Sequence, residues 1–268
     1  MGERIELDDV ELVCEERGGA SPKGPAVVFL HGLGGSVYSW WAQLAACEDA
    51  GHRVVAYDQR GAGRSSRPPG PYSVELWARD VEGVLDALEI ERATLVGHSV
   101  GCMIAEQAAL RLGERVQGLV LIGGALRWRP ESGPVFEERV RLARAGRMDE
   151  IARAVAQTGL SERCRQENPS LHGLFRELIA SNDPQSYAEW SAATAVAEMV
   201  EPHRIGCATL ALCGELDPVT PAAFSEAIAG EVPEARTAVI SGAAHWCQLE
   251  AAADVSTRLL EFLDEIAT

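Results

Sequence analysis

Five residues, Gly97-His98-Ser99-Val100-Gly101, join a run that reads as a buried strand to a run that reads as a helix. Ala93-Thr94-Leu95-Val96 is short and mostly apolar, while residues 102–112 are rich in Ala, Ile, Leu and Met. So short a join makes the helix start where the strand stops. The turn is then too tight for Cβ atoms at its two glycines. A serine held there has a strained backbone, an exposed hydroxyl, and N–H groups of a helix N-terminus beside it. A chance Gly-x-Ser-x-Gly is expected roughly 0.15 times in such a chain. The motif therefore gains meaning only if other strand ends supply an acid and a base.

The flanking pattern supplies the strands. Residues 4–7 and 10–16 read as a short antiparallel pair turning at Asp8-Asp9. Ala26-Val27-Val28-Phe29-Leu30 is continuously apolar, as a strand buried on both faces must be. It ends at His31-Gly32-Leu33-Gly34-Gly35, and a helix follows over about residues 38–50. A strand at 53–57 runs into Asp58-Gln59-Arg60-Gly61-Ala62-Gly63-Arg64-Ser65. Residues 73–88 carry Val74, Trp77, Val81, Val84, Leu85 and Leu88 at helical spacing, with Ser73 as N-cap. A strand at 116–122 follows the helix after Ser99. Such alternation predicts a parallel sheet with right-handed crossovers.

Alternation stops after Gly123-Gly124. Residues 127–204 read as helices near 135–145, 148–158, 171–180 and 187–200, with no buried strand. It resumes with a strand at 208–213, a helix at 222–229, a strand at 236–240 and a helix at 252–266. The expected organisation is an α/β core of residues 1–126 and 205–268, interrupted by a helical lid over residues 127–204.

Composition narrows the partners. The 268 residues carry a formal net charge of −16, which disfavours nucleic acid and anionic membranes. No run of about 18 apolar residues predicts a membrane span, and the acidic start lacks a signal-peptide pattern. Position 6 is Glu6 where myristoylation wants Ser or Thr. Seven cysteines without a C-x-x-C pair fit reduced thiols in a cytoplasmic protein. Cys102, just past the turn, reads as a packing residue. Six dispersed histidines give no metal-ligand spacing. The sequence is compatible with a homo-oligomer.

Ligands of open α/β sheets bind at the carboxyl ends of the strands. One strand ends at Ser99. Another leads into Gly214-Glu215-Leu216-Asp217-Pro218-Val219-Thr220-Pro221, and the last into Ser241-Gly242-Ala243-Ala244-His245-Trp246. A nucleophile, an acid and a base thus reach one sheet edge in the order Ser, Asp, His. His245 can take the Ser99 proton and return it to a leaving group. Asp217 would orient the imidazole, with Glu215 as the rival acid. No cofactor is needed for this chemistry.

In these motifs, matched in order and spacing over nearly its whole length, the chain resembles the α/β-hydrolase superfamily. In finer detail it is similar to 3-oxoadipate enol-lactonases, through Pro69-Gly70-Pro71-Tyr72-Ser73, residues 85–92 and Asp183-Pro184-Gln185-Ser186-Tyr187. The resemblance implies a mostly parallel eight-stranded sheet with helices on both faces and the lid, and it favours Asp217 over Glu215. It implies an oxyanion hole from the Val100 and Leu33 N–H groups. His31 reads as a scaffold for its loop, and residues 58–65 as a structural turn pinned by Asp58 and Arg60. His98 reads equally as pocket or packing. Met103, Leu126, Trp128, Trp190, Val219 and Trp246 are the further pocket candidates, expected to form a small, largely apolar cavity.

The resulting expectation is a serine hydrolase of a small ester or lactone working through an acyl-enzyme. A hydrolase of C–C bonds in meta-cleavage products and a cofactor-free perhydrolase use the same residues. A ligand receptor on this fold is the non-enzymatic alternative, distinguished by slow turnover. Serine at 99 argues against haloalkane dehalogenases and epoxide hydrolases, which use aspartate.

Overall fold

The computed structural model describes residues 2–18, 22–126, 132–198 and 200–267. A hairpin of β1 (Glu3–Glu6) and β2 (Glu11–Arg17) opens the chain, followed by β3 (Ala26–Leu30), α1 (Trp41–Asp49), β4 (Val54–Asp58) and α2 (Val74–Ala87). Then come β5 (Ala93–His98), α3 (Val100–Leu112) and β6 (Val116–Ile122). Five helices follow without a strand among the described residues: α4 (Ser132–Arg144), α5 (Met148–Gly159), α6 (Glu162–Glu167), α7 (Pro169–Ala180) and α8 (Pro184–Ala195). The chain closes with β7 (Ala208–Gly214), α9 (Ala222–Glu231), β8 (Ala235–Ile240), α10 (Cys247–Glu250) and α11 (Ala252–Ile266).

The strands form one eight-stranded sheet in the order β1-β2-β4-β3-β5-β6-β7-β8. Pairings β1–β2 and β2–β4 are antiparallel, and the remaining pairings are parallel. The expected sheet is therefore the one observed. Alternation of side chains across it builds two cores. Val27 and Phe29 of β3 pack with Trp40, Leu44, Leu259 and Phe262 on the face covered by α1 and α11. Val28 and Leu30 face the other way, with Trp77, Val81, Ile104 and helices of the insertion. Strands β3 and β6 lie where the apolar runs put them, because both of their faces are buried.

Local sequence explains the helix starts. Ser73 Oγ accepts the Leu76 N–H at the head of α2, and Asp183 Oδ2 accepts the Ser186 N–H at the head of α8. Proline stands in the first turn of α7 and of α8, where its missing N–H costs nothing. Two short helices were not expected from periodicity. Helix α6 is capped by Ser161, whose Oγ accepts from Cys164 N, and α10 starts two residues after His245; both are too short for a repeat to show.

One buried group titrates where it affects stability. Glu106 on α3 is 1% exposed, and neither carboxyl oxygen has a hydrogen-bond partner among the described residues. Burial pushes its carboxyl from 4.5 up to about 8. The folded protein therefore keeps a proton that the unfolded chain releases above about pH 4.5. Stability falls as pH rises from there to about 8, then levels off. Glu106→Gln should nearly match the wild type in urea unfolding at pH 4.5 and exceed it by about 4 kcal/mol at pH 8. A stability gap that does not change with pH overturns this.

Candidate active site

Ser99 sits between β5 and α3 with φ 52° and ψ −115°, a left-handed backbone that L-residues rarely adopt. The strained residue is held on both sides. Its N–H donates to Ile122 O at 2.9 Å, and its carbonyl accepts from Cys102 N at 2.9 Å. A Cβ at Gly97 would overlap the Gly101 carbonyl, and one at Gly101 would overlap the Leu30 carbonyl. Both glycines are thus required by close backbone approach, as the sequence pattern predicts.

His245 follows β8, and Asp217 follows β7. His245 Nδ1 donates to Asp217 Oδ2 at 2.7 Å, in a pair that is almost wholly buried. Asp217 also accepts from Val219 N at 2.7 Å, Thr220 N at 2.9 Å and Thr220 Oγ1 at 2.8 Å. Burial alone would raise its carboxyl. The facing His245 and the bonds from His245 and Thr220 outweigh burial and hold it down at about 2. Asp217 therefore stays ionised well into acid. With Nδ1 engaged, Nε2 is the ring nitrogen left to accept a proton. Glu215 is exposed and accepts instead from Ser241 Oγ and Gly242 N, each at 2.8 Å, clasping a surface turn.

Ser99 and His245 line one cavity together with Leu33, His98, Val100, Val219 and Trp246. The insertion adds Phe136, Arg139, Val155, Thr158 and Gly159, which sequence reasoning missed. The cavity is only about 40 Å³. The amides of Leu33 and Val100 stand at its wall. Val100 is the first residue of α3, so its N–H has no partner within the helix. No hydrogen bond within the described residues takes either amide. A wider groove of about 880 Å³ lies between α2, α3 and the end of the insertion, but its lining holds no nucleophile beside a base.

Three pocket candidates lie elsewhere. Met103 and Leu126 are buried in the core and do not line the cavity. Trp190 on α8 lies 4.0 Å, centroid to centroid, from Trp77 and stacks on His31, and its Nε1 donates to Arg60 O at 2.9 Å. It fastens the insertion to the sheet rather than facing the cavity. Trp128 lies outside the described residues.

The histidines beside the site resolve differently. His31 Nδ1 donates to Gly32 O at 2.9 Å, and Nε2 accepts from Gln59 N at 3.0 Å. Burial keeps it neutral, so it is a scaffold for its loop. His98 lines the cavity and also packs, its Nε2 donating to His245 O at 3.0 Å. Burial, and then the neighbouring His245, push it well below its ordinary value. In the 58–65 turn, Asp58 accepts from Val37 N and Arg64 N at 2.8 and 3.0 Å. Arg60 is buried between Asp80 and Asp9.

The sequence profile described as the alpha/beta hydrolase fold matches residues 25–252, most of the chain. The chain belongs to this hydrolase family. Over 260 residues it is 33% identical to the 2-hydroxymuconate semialdehyde hydrolase of Pseudomonas sp. strain CF600, covering 91% of this chain and 89% of that enzyme. A putative carbamate hydrolase of Variovorax paradoxus strain S110 is 43% identical over 120 residues, a match spanning 44% of this chain and 45% of that protein. The enol-lactonase from Burkholderia xenovorans LB400 superposes with a TM-score of 0.92 at 28% identity, over 98% of this chain and all of that one. Among the described residues no helix is long and apolar enough to cross a membrane, and no cluster of metal-ligating side chains occurs.

Thr220 is the contact that sequence reasoning overlooked. Besides donating to Asp217, its Oγ1 lies 3.3 Å from His245 Nδ1. Thr220→Val removes a donor to a charged group and loosens the imidazole's setting. It should lower kcat about 5–10-fold while leaving KM nearly unchanged. Equal loss in both constants would contradict a positioning role.

Proposed function

We propose that the protein is a serine hydrolase that cleaves a small carboxylic ester or lactone through an acyl-enzyme. The observation that carries this reading is the Asp217–His245 pair opening onto the same cavity as Ser99, with two untaken amides at the wall. As Ser99 Oγ attacks the acyl carbon, His245 Nε2 takes its proton and the carbonyl oxygen becomes an oxyanion. The Leu33 and Val100 N–H groups stabilise that charge, each worth about 3 kcal/mol in comparable sites. The imidazolium then returns its proton to the departing alkoxide, and Asp217 holds the cation in register. Water, deprotonated by the same imidazole, releases the acid and restores Ser99.

A ligand site for a small organic molecule commonly occupies about 300–1,000 Å³. The cavity here is far smaller, so residues 127–204 act as a lid that must yield to admit substrate. Core residues 1–126 and 205–268 supply the reacting groups. The free thiols and acidic surface suit a cytoplasmic protein.

A second reading is favoured by the likeness to the 2-hydroxymuconate semialdehyde hydrolase, which extends over most of both chains. The same residues would then cleave a C–C bond beside a carbonyl. A panel of short aryl esters, an enol-lactone, acyl-homoserine lactones and a vinylogous diketone separates the two. A perhydrolase would add peroxide-dependent activity, and a receptor would bind tightly with very slow turnover.

Ser99→Ala should abolish hydrolysis and labelling by a fluorophosphonate while the protein stays folded. Asp217→Asn should lower kcat by about 10³–10⁴-fold. Asp217 remains ionised from pH 5 to 8, so activity should show no loss in that range that traces to its carboxyl. Hydrolysis that survives in Ser99→Ala overturns the mechanism.

A further inference from the structure

Among the described residues Arg139 has no counter-charge, and it stands where that matters. The chain has 40 acidic residues against 24 basic ones. On the same helix, Arg141 pairs with Glu138 at 2.6 Å and Arg144 with Glu189 at 3.7 Å. Arg139 is half-buried and lines the cavity that holds Ser99 and His245. Its guanidinium carbon lies 5.6 Å from the centroid of the Phe136 ring, on the insertion's side of the cavity. No carboxylate of the described residues pairs with it, and none lines the cavity.

A second polar group lies within its electrostatic reach. Tyr187 on α8 has a buried hydroxyl without a hydrogen-bond partner among the described residues. Burial pushes the phenol up, and the charge of Arg139 pulls the other way. A cation lining a nearly closed cavity, with no carboxylate partner among the described residues, is a site for an anion. The planar guanidinium fork matches a carboxylate through two parallel hydrogen bonds.

We infer that Arg139 binds a free carboxylate on the substrate, so that the enzyme selects esters or lactones carrying a second, ionised carboxyl group. This rests on Ser99 being the nucleophile, and the test keeps the two apart. Two substrates suffice: 4-nitrophenyl hydrogen glutarate and its methyl ester, identical at the scissile bond and differing in charge. The wild type should favour the anionic member by about 10–100-fold in kcat/KM, mainly through KM, and the preference should shrink with added salt. In Arg139→Gln the ratio should fall to near one, with the loss on the anionic substrate. Arg139→Lys should keep part of it, since the charge remains and the fork is lost.

An equal preference in the wild type, or an unchanged ratio in Arg139→Gln, overturns the assignment. If neither ester is turned over, the ester reading fails while the Arg139 site is still tested. Calorimetric binding of glutarate to the Ser99→Ala protein should then weaken at least 10-fold on adding Arg139→Gln, and equal binding would sink it.

Discussion

Three stretches of backbone meet behind Ser99 more closely than side chains would allow, and the rest of the site depends on that approach. Gly101 lies against the carbonyls of Leu30 and His31, Gly97 against the start of α3, and Gly32 against His98 O and the Ser99 Cβ. The end of β3, the end of β5 and the head of α3 are thereby joined without an intervening flexible group. The contact sets where the Leu33 and Val100 amides stand relative to Ser99. Donors fixed in this way need no reorganisation when charge develops, which is where such sites gain most of their rate.

Buried ions extend this rigidity outward. Arg60 is desolvated, so it must be fully satisfied to be tolerated. Asp80 takes two of its bonds at 2.6 Å and Asp9 two more at 2.9 Å, which ties α2 to the turn of the N-terminal hairpin. The Arg60 carbonyl then receives Trp190 Nε1 from the insertion. On the opposite flank Trp246 N donates to Gly159 O at 2.8 Å, and Glu250 bridges Ala244 N and Ser161. The end of α5 and the middle of α8 are thus bound to the body of the protein by directional bonds. Helix α4 reaches the cavity by Phe136 and Arg139, and chiefly packs on α8. On the proposed reading of the insertion as a lid, opening costs least along α4, where such bonds to the body are fewest among the described residues.

What the sequence made legible follows from how far each signal acts. Strand β3 was readable to the residue because full burial leaves no polar interruption within Ala26–Leu30, and β6 because the apolar run Leu119–Ile122 follows Gly118 and half-buried Gln117 near its start. Ser99, Asp217 and His245 were readable because strand ends converge on one edge whatever the details of packing. The cavity wall was not. Phe136, Arg139, Val155 and Thr158 reach it through the docking angle of the insertion, which no local pattern encodes. Trp190 misled because its ring looks like a pocket wall, while its N–H had to find the Arg60 carbonyl inside the structure. Thr220 had a faint signal, a hydroxyl three residues after the acid, within reach of a carboxylate turned back on its own loop.

His98 and Asp217 together decide which way the site is polarised. His98 donates through Nε2 to the His245 carbonyl, so it steadies the loop that carries the other imidazole. Burial keeps His98 neutral, and its Nδ1 has no partner among the described residues. It offers no positive charge to compete with one forming on His245. Asp217, saturated with donors and ionised, lies on the other side of that ring. A proton arriving at His245 Nε2 thus meets a neutral neighbour and an anion at bonding distance. Both favour holding it on the imidazole.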